Sequence, residues 1–127
     1  MANHLGRGMS EDKQMLVDGE WCAAVSGNSM DICNPATGEI IANVPHSSAE
    51  DADRAVAASK AALVSKEWAL MDPAQRGRIL NKMAAATYAA SKDLAKLESQ
   101  NNGKTFREAL GEIRYGAWTL EYFAGWD

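Results

Sequence analysis

The sequence is short of the residues that metal centres and disulfide frameworks require. Its 127 residues include two cysteines, two histidines and three prolines, and Cys22 and Cys33 do not form a CxxC pair. These residues are spaced in a way that fits no zinc-binding pattern. Two cysteines in an acidic chain without a secretory signal are typical of reduced cytosolic thiols, so we expect a cytoplasmic protein.

Positive charge and long apolar runs are scarce as well. The chain has 13 Lys and Arg against 17 Asp and Glu, and its net charge is -4. No cluster of basic residues is longer than two, whereas a nucleic-acid backbone needs a basic stripe, so we expect no nucleic-acid partner. No apolar run approaches the roughly 20 residues of a membrane span, and residues 1–14 lack the apolar region of a secretory signal. We therefore expect no membrane partner.

Apolar residues are nevertheless plentiful. They make up 46% of the chain, which is too much for a disordered protein. Much of this fraction is alanine, which buries little area per residue and favours closely packed helices over a large independent core. The length fits one ordinary domain or a piece of a larger one. Residues 1–14, with several small residues and mixed charges, are predicted to be a disordered tail.

Turn signals divide the next part of the chain into short strands. Asp18-Gly19 lies between apolar residues and predicts a type I′ hairpin, because glycine tolerates a positive φ. Residues 34–39, an Asn-Pro followed by a Thr-Gly, form a turn by composition between strands predicted at residues 30–33 and 40–44. This stretch is therefore interpreted as a connection between strands and not as a chemical site.

From His46 onward the apolar period becomes that of helices. We expect about four helices, the first running to about Lys66, and Asn101-Asn102-Gly103 ending the third. The predicted starts are Ser47-x-x-Glu50, Asp72-Pro73-x-Gln75, Ser91 and Thr105-x-x-Glu108. Short strands followed by helices are typical of an α+β arrangement.

Each predicted helix has an apolar stripe. A small hairpin layer cannot cover four amphipathic helices, so we expect some helical faces to meet polypeptide outside this chain. The stripes, in helix order, are Ala52, Ala55, Val56, Ala62 and Leu63; Ile79, Met83, Ala86 and Ala90; Leu94 and Leu97; and Ala109, Leu110, Ile113, Ala117, Leu120 and Ala124.

Gly103-Lys104-Thr105 before a helix is similar to the end of a phosphate-binding P-loop. The full motif needs a glycine five residues earlier, where Glu98 stands, and the preceding segment is predicted to be a helix instead of a strand. A carboxylate at that place would repel a phosphate. We therefore predict the end of one helix followed by the start of the next.

The cysteines do not form an evident nucleophilic site. A reactive cysteine needs a base or an electropositive setting, and the histidines are His4, in the predicted tail, and His46. Geometry does not exclude a Cys–His pair, but the favoured interpretation of Cys33 is a small buried hydrophobe.

The glutamates are explained by helix caps, turns and solvated helix faces, so we assign no general acid or base.

Aromatic residues are concentrated near the end of the last predicted helix. They are Tyr115, Trp118, Tyr122, Phe123 and Trp126. Such a stripe is more often core or interface than the lining of a ligand site, and both interpretations remain open.

Six sequence blocks occur in a fixed order: Val17-Asp18-Gly19-Glu20-Trp21; Asn34-Pro35-Ala36-Thr37-Gly38-Glu39-Ile40-Ile41; Asp51-x-Asp53-Arg54-Ala55-Val56; Arg76-Gly77-Arg78-Ile79-Leu80; Leu97-Glu98-x-x-Asn101-Asn102-Gly103-Lys104; and Tyr122-Phe123-Ala124-Gly125-Trp126. In this order and spacing they resemble the N-terminal quarter of the NAD(P)-dependent aldehyde dehydrogenase superfamily. The resemblance implies that residues 15–127 are an incomplete N-terminal portion of the NAD-binding domain of that α/β fold.

The resemblance implies a parent enzyme that oxidises an aldehyde to a carboxylic acid through a cysteine thiohemiacetal, with NAD or NADP as hydride acceptor. The family's nucleophile, general base, oxyanion-hole residue and main dinucleotide contacts map outside this chain. No catalytic or cofactor-binding residue is therefore assigned here, and we expect no cofactor and no activity for the chain alone. The implied partners are the remainder of the dehydrogenase chain, an aldehyde and, for the parent, further copies of itself. The alternative is a non-catalytic binding or oligomerisation module on the same scaffold.

Two regional roles follow from the resemblance. Many members hold a structural monovalent cation at positions that match Ile32, Cys33 and Asn101, although the family has an aspartate where this chain has Asn101. The helix leading to Tyr122 borders the aldehyde entrance in the family, which makes Tyr115, Trp118 and Thr119 candidates for the substrate channel. Aromatic faces there would suit cationic or aryl substrates.

Overall fold

Turns and helix caps define the elements of the chain. The computed structural model describes residues 11–126, and the side chains of residues 13–126. Within them, five short strands precede five helices, which confirms the α+β prediction. The elements form two units, one ending at Leu63 and the other beginning at Val64. The bounds are β1 (Glu11–Asp12), β2 (Met15–Val17), β3 (Glu20–Cys22), β4 (Ser29–Cys33), β5 (Ile40–Pro45), α1 (Ala49–Val64), α2 (Lys66–Ala69), α3 (Pro73–Ala89), α4 (Ser91–Asn102) and α5 (Phe106–Ala124).

The hairpin of β2 and β3 has the predicted turn. Asp18 and Gly19 adopt φ values of 54° and 78°, the two positive angles that a type I′ turn requires. The strands pair antiparallel, with Val17 opposite Glu20. The Asp-Gly pair thus closes the hairpin with a twist that matches its strands.

The second predicted turn joins β4 to β5, which pair antiparallel. The side-chain oxygen of Asn34 accepts a hydrogen bond from the Ala36 N–H at 2.9 Å, and the Asn34 carbonyl accepts one from the Gly38 N–H at 2.8 Å. Gly38 supplies the positive φ, 74°. This stretch is a strand connection, as predicted.

The β4–β5 sheet gains a third strand, in the order β1-β5-β4, because Glu11–Asp12 pair parallel with β5. Residues 1–10 of the predicted tail lie outside the described residues, so the tail stays a prediction there. Glu11–Asp12, which that prediction included, belong to the sheet instead.

Helix α1 begins one residue later than the predicted capping box. Ser48 and Asp51, not Ser47 and Glu50, make the capping bonds: the Ser48 N–H and Oγ–H donate to the Asp51 carboxylate at 2.9 Å and 3.0 Å. Both pairs have the right spacing, and the second is selected because Asp51 also accepts a bond from the Val25 N–H. The helix ends at Val64, before Lys66, since Ser65 caps the separate single turn α2.

The predicted starts of α3 and α5 are correct, and that of α4 is wrong. Asp72 and Thr105 each form a complete capping box, for α3 and α5. The predicted cap at Ser91 is wrong, because Ser91 is already inside α4 and is buried, and the capping position is Ala90, which makes no side-chain bond. Gly103 ends α4 with a φ of 80°, as predicted from its tolerance of the left-handed conformation.

The three longer helices of the second unit, α3, α4 and α5, pack through their small residues. The predicted α5 stripe is correct, since Ala109, Ala117 and Ala124 are buried. On α3 the prediction is wrong: Gly77 and Ala84 are buried, and Met83 is 50% exposed. Small side chains let α3 approach α5 closely, and this decides which face is inside.

The predicted stripes of α1 and α4 are wrong as well. Leu97 on α4 is 56% exposed and Leu63 on α1 is 63% exposed, whereas the buried residues of α4 are Ser91 and Ala95. The only buried residue of α1 is Asp51. In both helices the largest apolar side chains are therefore exposed.

Among residues 13–126, no large side chain is fully buried. The buried apolar side chains in this range are all alanines: Ala24, Ala84, Ala95, Ala109, Ala117 and Ala124. Alanine contributes little area, so burial stabilises these units weakly compared with a core of leucine or phenylalanine. No helix within residues 11–126 has the length and hydropathy needed to cross a bilayer.

Candidate functional site

Helix α5 carries a row of aromatic rings on the side away from its buried alanines. The row consists of Tyr115, Trp118 and Tyr122, which are three or four residues apart and therefore neighbours on the surface of α5, and of Trp126, which lies just beyond the end of the helix at Ala124. Their centroids are 5.5, 5.7 and 5.5 Å apart along the row. We call these four residues the aromatic row.

The aromatic row is an open surface. Its four side chains are exposed by 67%, 49%, 46% and 68% in chain order, and Trp118 is stacked on Tyr122 with an interplanar angle of 27°. Phe123 flanks the row and meets Tyr122 edge to face at 5.3 Å. The rings are therefore not core of the unit that carries them, and they offer π faces that attract aryl and cationic groups.

The three candidate channel residues differ in what they present. Tyr115 and Trp118 are in ring contact at 5.5 Å. Thr119 is half-buried beside them, and its hydroxyl donates to the Tyr115 carbonyl at 2.9 Å, within the same helix. The two rings thus form a surface, while the hydroxyl of Thr119 is committed to the backbone.

The candidate cation residues lie in separate units. Ile32 and Cys33 are on β4, where the ladder to β5 has a bulge between them, and Asn101 is near the end of α4. Main-chain carbonyl and amide oxygens of such residues have donor chemistry that suits a monovalent cation. Among residues 13–126 there is no group of three or more His, Cys, Asp or Glu side chains that could hold a metal ion.

The thiol of Cys33 is exposed, which corrects the prediction of a small buried hydrophobe. Successive residues of a strand point to opposite faces, and Ile32 takes the partly buried side of β4. Cys22 is less exposed than Cys33, and both are free thiols. The guanidinium Nη2 of Arg54 lies 3.2 Å from the Cys22 sulfur.

Lys104 is held by carboxylates, which excludes the P-loop interpretation. Its ammonium pairs with Glu112 and with Glu98, the latter at 3.1 Å. The bond to Glu112, and then the bond to Glu98, raises the pKa of Lys104 above its usual value. The preceding segment is the helix α4. These residues do not form a phosphate cradle, so they are not assigned to a dinucleotide.

Asp51 is a buried carboxylate that the sequence reasoning missed. It is 2% exposed. Its carboxylate accepts hydrogen bonds from the N–H and the hydroxyl of Ser48 and, at 3.0 Å, from the Val25 N–H. The guanidinium Nη2 of Arg54 lies 3.4 Å from the same carboxylate. The Ser48 N–H, and then the Val25 N–H, holds the pKa of Asp51 below its ordinary value. The sequence signal for this carboxylate is Ser48-x-x-Asp51, which overlaps Ser47-x-x-Glu50.

A cleft of about 430 Å³ lies between the β2–β3 hairpin and α1. Val17, Asp18 and Cys22 line one side, and Arg54 and Ala58 line the other. This lining mixes a thiol with opposite charges and contains no histidine. The cleft therefore offers no Cys–His pair.

Comparison with known proteins places the chain in a family. A sequence model described as the aldehyde dehydrogenase family matches residues 21–127. The chain belongs to the aldehyde dehydrogenase family. The resemblance inferred from the six sequence blocks is thereby confirmed.

Two relatives and a crystal structure give the extent of the likeness. This aldehyde dehydrogenase chain is 38% identical over 120 residues to phenylacetaldehyde dehydrogenase of Pseudomonas fluorescens, covering 94% of this chain and 24% of that protein. It is 40% identical over 116 residues to the chloroplastic betaine aldehyde dehydrogenase of Beta vulgaris, covering 89% of this chain and 23% of that protein. An NAD-dependent aldehyde dehydrogenase of Sinorhizobium meliloti superposes with a TM-score of 0.86 at 37% identity, covering 92% of this chain and 24% of that chain.

The aldehyde dehydrogenase chain thus spans about a quarter of the length of the relatives that it matches. The fold described above is the N-terminal part of the family fold, as predicted. The cap at Asp51, the turn at residues 34–39 and the helix α5 all lie inside the matched residues 21–127.

Proposed function

We propose that this chain forms the N-terminal part of an NAD(P)-dependent aldehyde dehydrogenase that oxidises an aldehyde to a carboxylic acid. The observation that carries the proposal is the family match over residues 21–127 combined with coverage of 24% of a relative. The nucleophilic cysteine, the general base and the dinucleotide site belong to the remainder of the polypeptide. The chain alone has no catalytic residue and is inactive, and the parent is a cytoplasmic homo-oligomer.

The contribution of this chain to catalysis is structural. Lys104 is paired with two carboxylates, and Cys22 and Cys33 have no histidine among the bonds that they make, so neither the charge nor the thiols supply a reacting group. The contacts to the cofactor, NAD or NADP, are made by the remainder of the polypeptide. What the chain supplies is a scaffold with a large open apolar face.

We further assign Tyr115, Trp118 and Thr119 to one wall of the aldehyde route. The two exposed rings in contact at 5.5 Å support this assignment, because their π faces favour aryl or cationic aldehydes. Relatives of similar identity are named for phenylacetaldehyde and for betaine aldehyde, an aryl and a cationic aldehyde, respectively. In the assembled enzyme, Trp118→Ala raises KM for such aldehydes more than KM for a short aliphatic one.

The oxygens of Ile32, Cys33 and Asn101 are proposed to hold a monovalent cation in the parent. The register shift opposite Ile32 and Cys33 supports this, because the extra residue, Ile41 of β5, interrupts the regular pairing beside them. Asn101 offers an amide oxygen without charge. We expect Asn101→Asp to increase the gain in Tm on adding K⁺ to the assembled enzyme, and an unchanged gain would contradict the site.

The first experiment is nucleotide sequencing of the gene beyond codon 127. A reading frame that continues into a strand–helix nucleotide-binding unit and a later cysteine nucleophile supports the proposal. A stop codon at that position contradicts it for the natural product.

The second experiment is a chimera in which residues 21–127 replace the matching region of phenylacetaldehyde dehydrogenase. We expect this chimera to produce NADH from phenylacetaldehyde, while the 127-residue chain alone produces none from a panel of aldehydes. NADH production by the chain alone would contradict the prediction that this chain is inactive by itself. A folded chimera without activity would contradict its role as the N-terminal part of such an enzyme.

One observation favours the alternative of a non-catalytic binding or oligomerisation module. The aromatic row is half or more exposed at two of its four positions and nearly so at the others, and exposed apolar patches of this kind mark interaction surfaces. Light scattering that rises with concentration, together with binding of the dye ANS, supports this module. A strict monomer that does not bind ANS contradicts it.

A further inference from the structure

Asn102-Gly103 is the one place in the sequence where an asparagine is followed by a glycine. The pair is chemically labile, because glycine has no side chain to shield its main-chain nitrogen from the asparagine carboxamide. Once that nitrogen has lost its proton, it can attack Cγ of Asn102 and form a cyclic succinimide. The bond from Cγ to Nδ2 then breaks, and Nδ2 leaves as ammonia with a proton from water. Water opens the ring to give aspartate or isoaspartate at position 102.

The carboxamide of Asn102 is placed for this reaction. It is exposed at the last residue of α4, so water reaches it. Its oxygen Oδ1 accepts a hydrogen bond from the Lys104 N–H at 3.1 Å, which turns the carboxamide back toward the main chain that follows it. A hydrogen bond to a carbonyl oxygen also stabilises the negative charge that develops there when the carbon is attacked. The carbon that the Gly103 nitrogen would attack is therefore both oriented and polarised.

Two hydrogen bonds oppose the reaction in the folded chain. The Gly103 N–H donates to the Ser99 carbonyl at 3.0 Å, so the attacking nitrogen keeps its proton and is turned back along α4. The Nδ2–H of Asn102 donates to the Glu98 carboxylate at 2.6 Å, which holds the leaving group in place. Both bonds belong to the last turn of α4, and the ends of helices open more easily than their centres.

The products of the reaction cannot restore these bonds. An aspartate at position 102 has no Nδ2–H and places a second carboxylate against Glu98, where like charges repel. An isoaspartate lengthens the main chain before Gly103 and so removes the fit of its N–H to the Ser99 carbonyl.

The same carboxylate of Glu98 also holds Lys104, which pairs with Glu112 on α5. A change at position 102 is therefore transmitted to the connection between α4 and α5. We propose that Asn102 is a deamidation site guarded by the capped end of α4: conversion to aspartate or isoaspartate takes place when this end opens, and it then weakens the closure of that end.

Peptide mass spectrometry of the 127-residue chain tests the guard. Samples are kept at one pH and temperature with and without guanidinium chloride, and the mass increase from replacing an amide by an acid is followed at position 102. We expect conversion to be roughly twentyfold slower in the folded chain, since each of the two bonds contributes a factor of about five. Asn101 is the internal control, because the residue after it has a side chain. Equal rates in the two samples, or conversion mainly at Asn101, would overturn the proposal.

Variants separate the guard from the chemistry. We expect Glu98→Ala to speed conversion about fivefold in the folded chain, and Lys96→Ala, at an exposed position on the same helix, to leave it unchanged. In guanidinium chloride both should convert at the rate of the unchanged chain, while Gly103→Ala should convert more slowly because its methyl group shields the nitrogen. A folded Glu98→Ala chain that converts no faster would refute the guard, and an unslowed Gly103→Ala would refute the succinimide route.

Thermal unfolding tests the consequence of conversion. We expect Asn102→Asp to lower Tm by about 4 °C, through one lost hydrogen bond and the repulsion from Glu98. Adding Glu98→Gln removes one of the two charges and should recover most of this loss, relative to Glu98→Gln alone. An Asn102→Asp chain as stable as the unchanged one, or a double variant that recovers nothing, would contradict the proposed weakening of the α4 end.

Discussion

The carboxylate of Asp51 accepts a hydrogen bond from the backbone N–H of Val25, which is 26 residues earlier in the chain, at 3.0 Å. The same carboxylate caps α1 through Ser48. One buried side chain therefore fixes both the start of a helix and the course of the connection between β3 and β4. No other charged residue among those described is buried to this degree.

Acid should unfold the first unit through Asp51. Its pKa is lowered in the folded state, so its contribution is fully present above the unfolded value of about 3.9 and is lost as pH falls through the folded value. We expect Asp51→Asn to reduce stability at pH 7 and to flatten the loss of stability as pH falls below about 4. Circular dichroism during acid titration measures this.

The matched control for Asp51 is Asp53→Asn, an exposed position on the same helix. It should leave both the stability at pH 7 and the acid transition close to those of the unchanged chain. An Asp51→Asn variant with an unaltered acid transition would show that the carboxylate does not control it.

The small residues between helices should tolerate no enlargement. Ala117 is fully buried on α5, while Leu97 on α4 is 56% exposed. We expect Ala117→Leu to reduce the free energy of unfolding by about 1–3 kcal/mol through overpacking, and Leu97→Ala to change it by less than about 0.5 kcal/mol. Urea unfolding of the two variants compares them, and a larger loss in Leu97→Ala would refute the packing described here.

Adenine nucleotides should not stabilise the chain. The ammonium of Lys104 is held by Glu98 and Glu112, and a helix precedes it where a P-loop has a strand. We expect no change in Tm on adding millimolar ATP, either in the unchanged chain or in Lys104→Met. A rise in Tm that Lys104→Met abolishes would restore the nucleotide-binding interpretation.

The two thiols should react at different rates. Cys33 is exposed and Cys22 is partly buried, with the guanidinium of Arg54 against its sulfur. We expect iodoacetamide to modify Cys33 first, as followed by peptide mass spectrometry in the folded chain. Equal rates in the folded chain and in urea would mean that the fold does not distinguish the two positions.

Local signals predicted those elements whose conformation depends on neighbouring residues. The Asp18-Gly19 turn, the connection at residues 34–39, the capping boxes at Asp72 and Thr105 and the end of α4 at Gly103 all formed as expected. In each of these a side chain or a glycine satisfies a backbone requirement within a few residues. The six sequence blocks likewise sufficed for the family.

Where the sequence allowed two local structures, a contact with a residue distant in the chain decided between them. Ser47-x-x-Glu50 and Ser48-x-x-Asp51 have the same spacing, and the second is used because its carboxylate also receives the Val25 N–H. Tyr115 and Trp118 were predicted as candidates by resemblance, and the tertiary structure adds that their rings touch and remain open.

The sequence by itself determined the turns, most helix ends and the membership of the aldehyde dehydrogenase family, because these depend on residue types at short, fixed spacings. Only the tertiary structure decided which helix faces are buried. Apolar periodicity favoured Met83 and Leu97, whereas Ala84 and Ala95 are inside, since closely packed helices meet through their smallest side chains. The larger apolar residues are thereby left on the outside, together with the aromatic row.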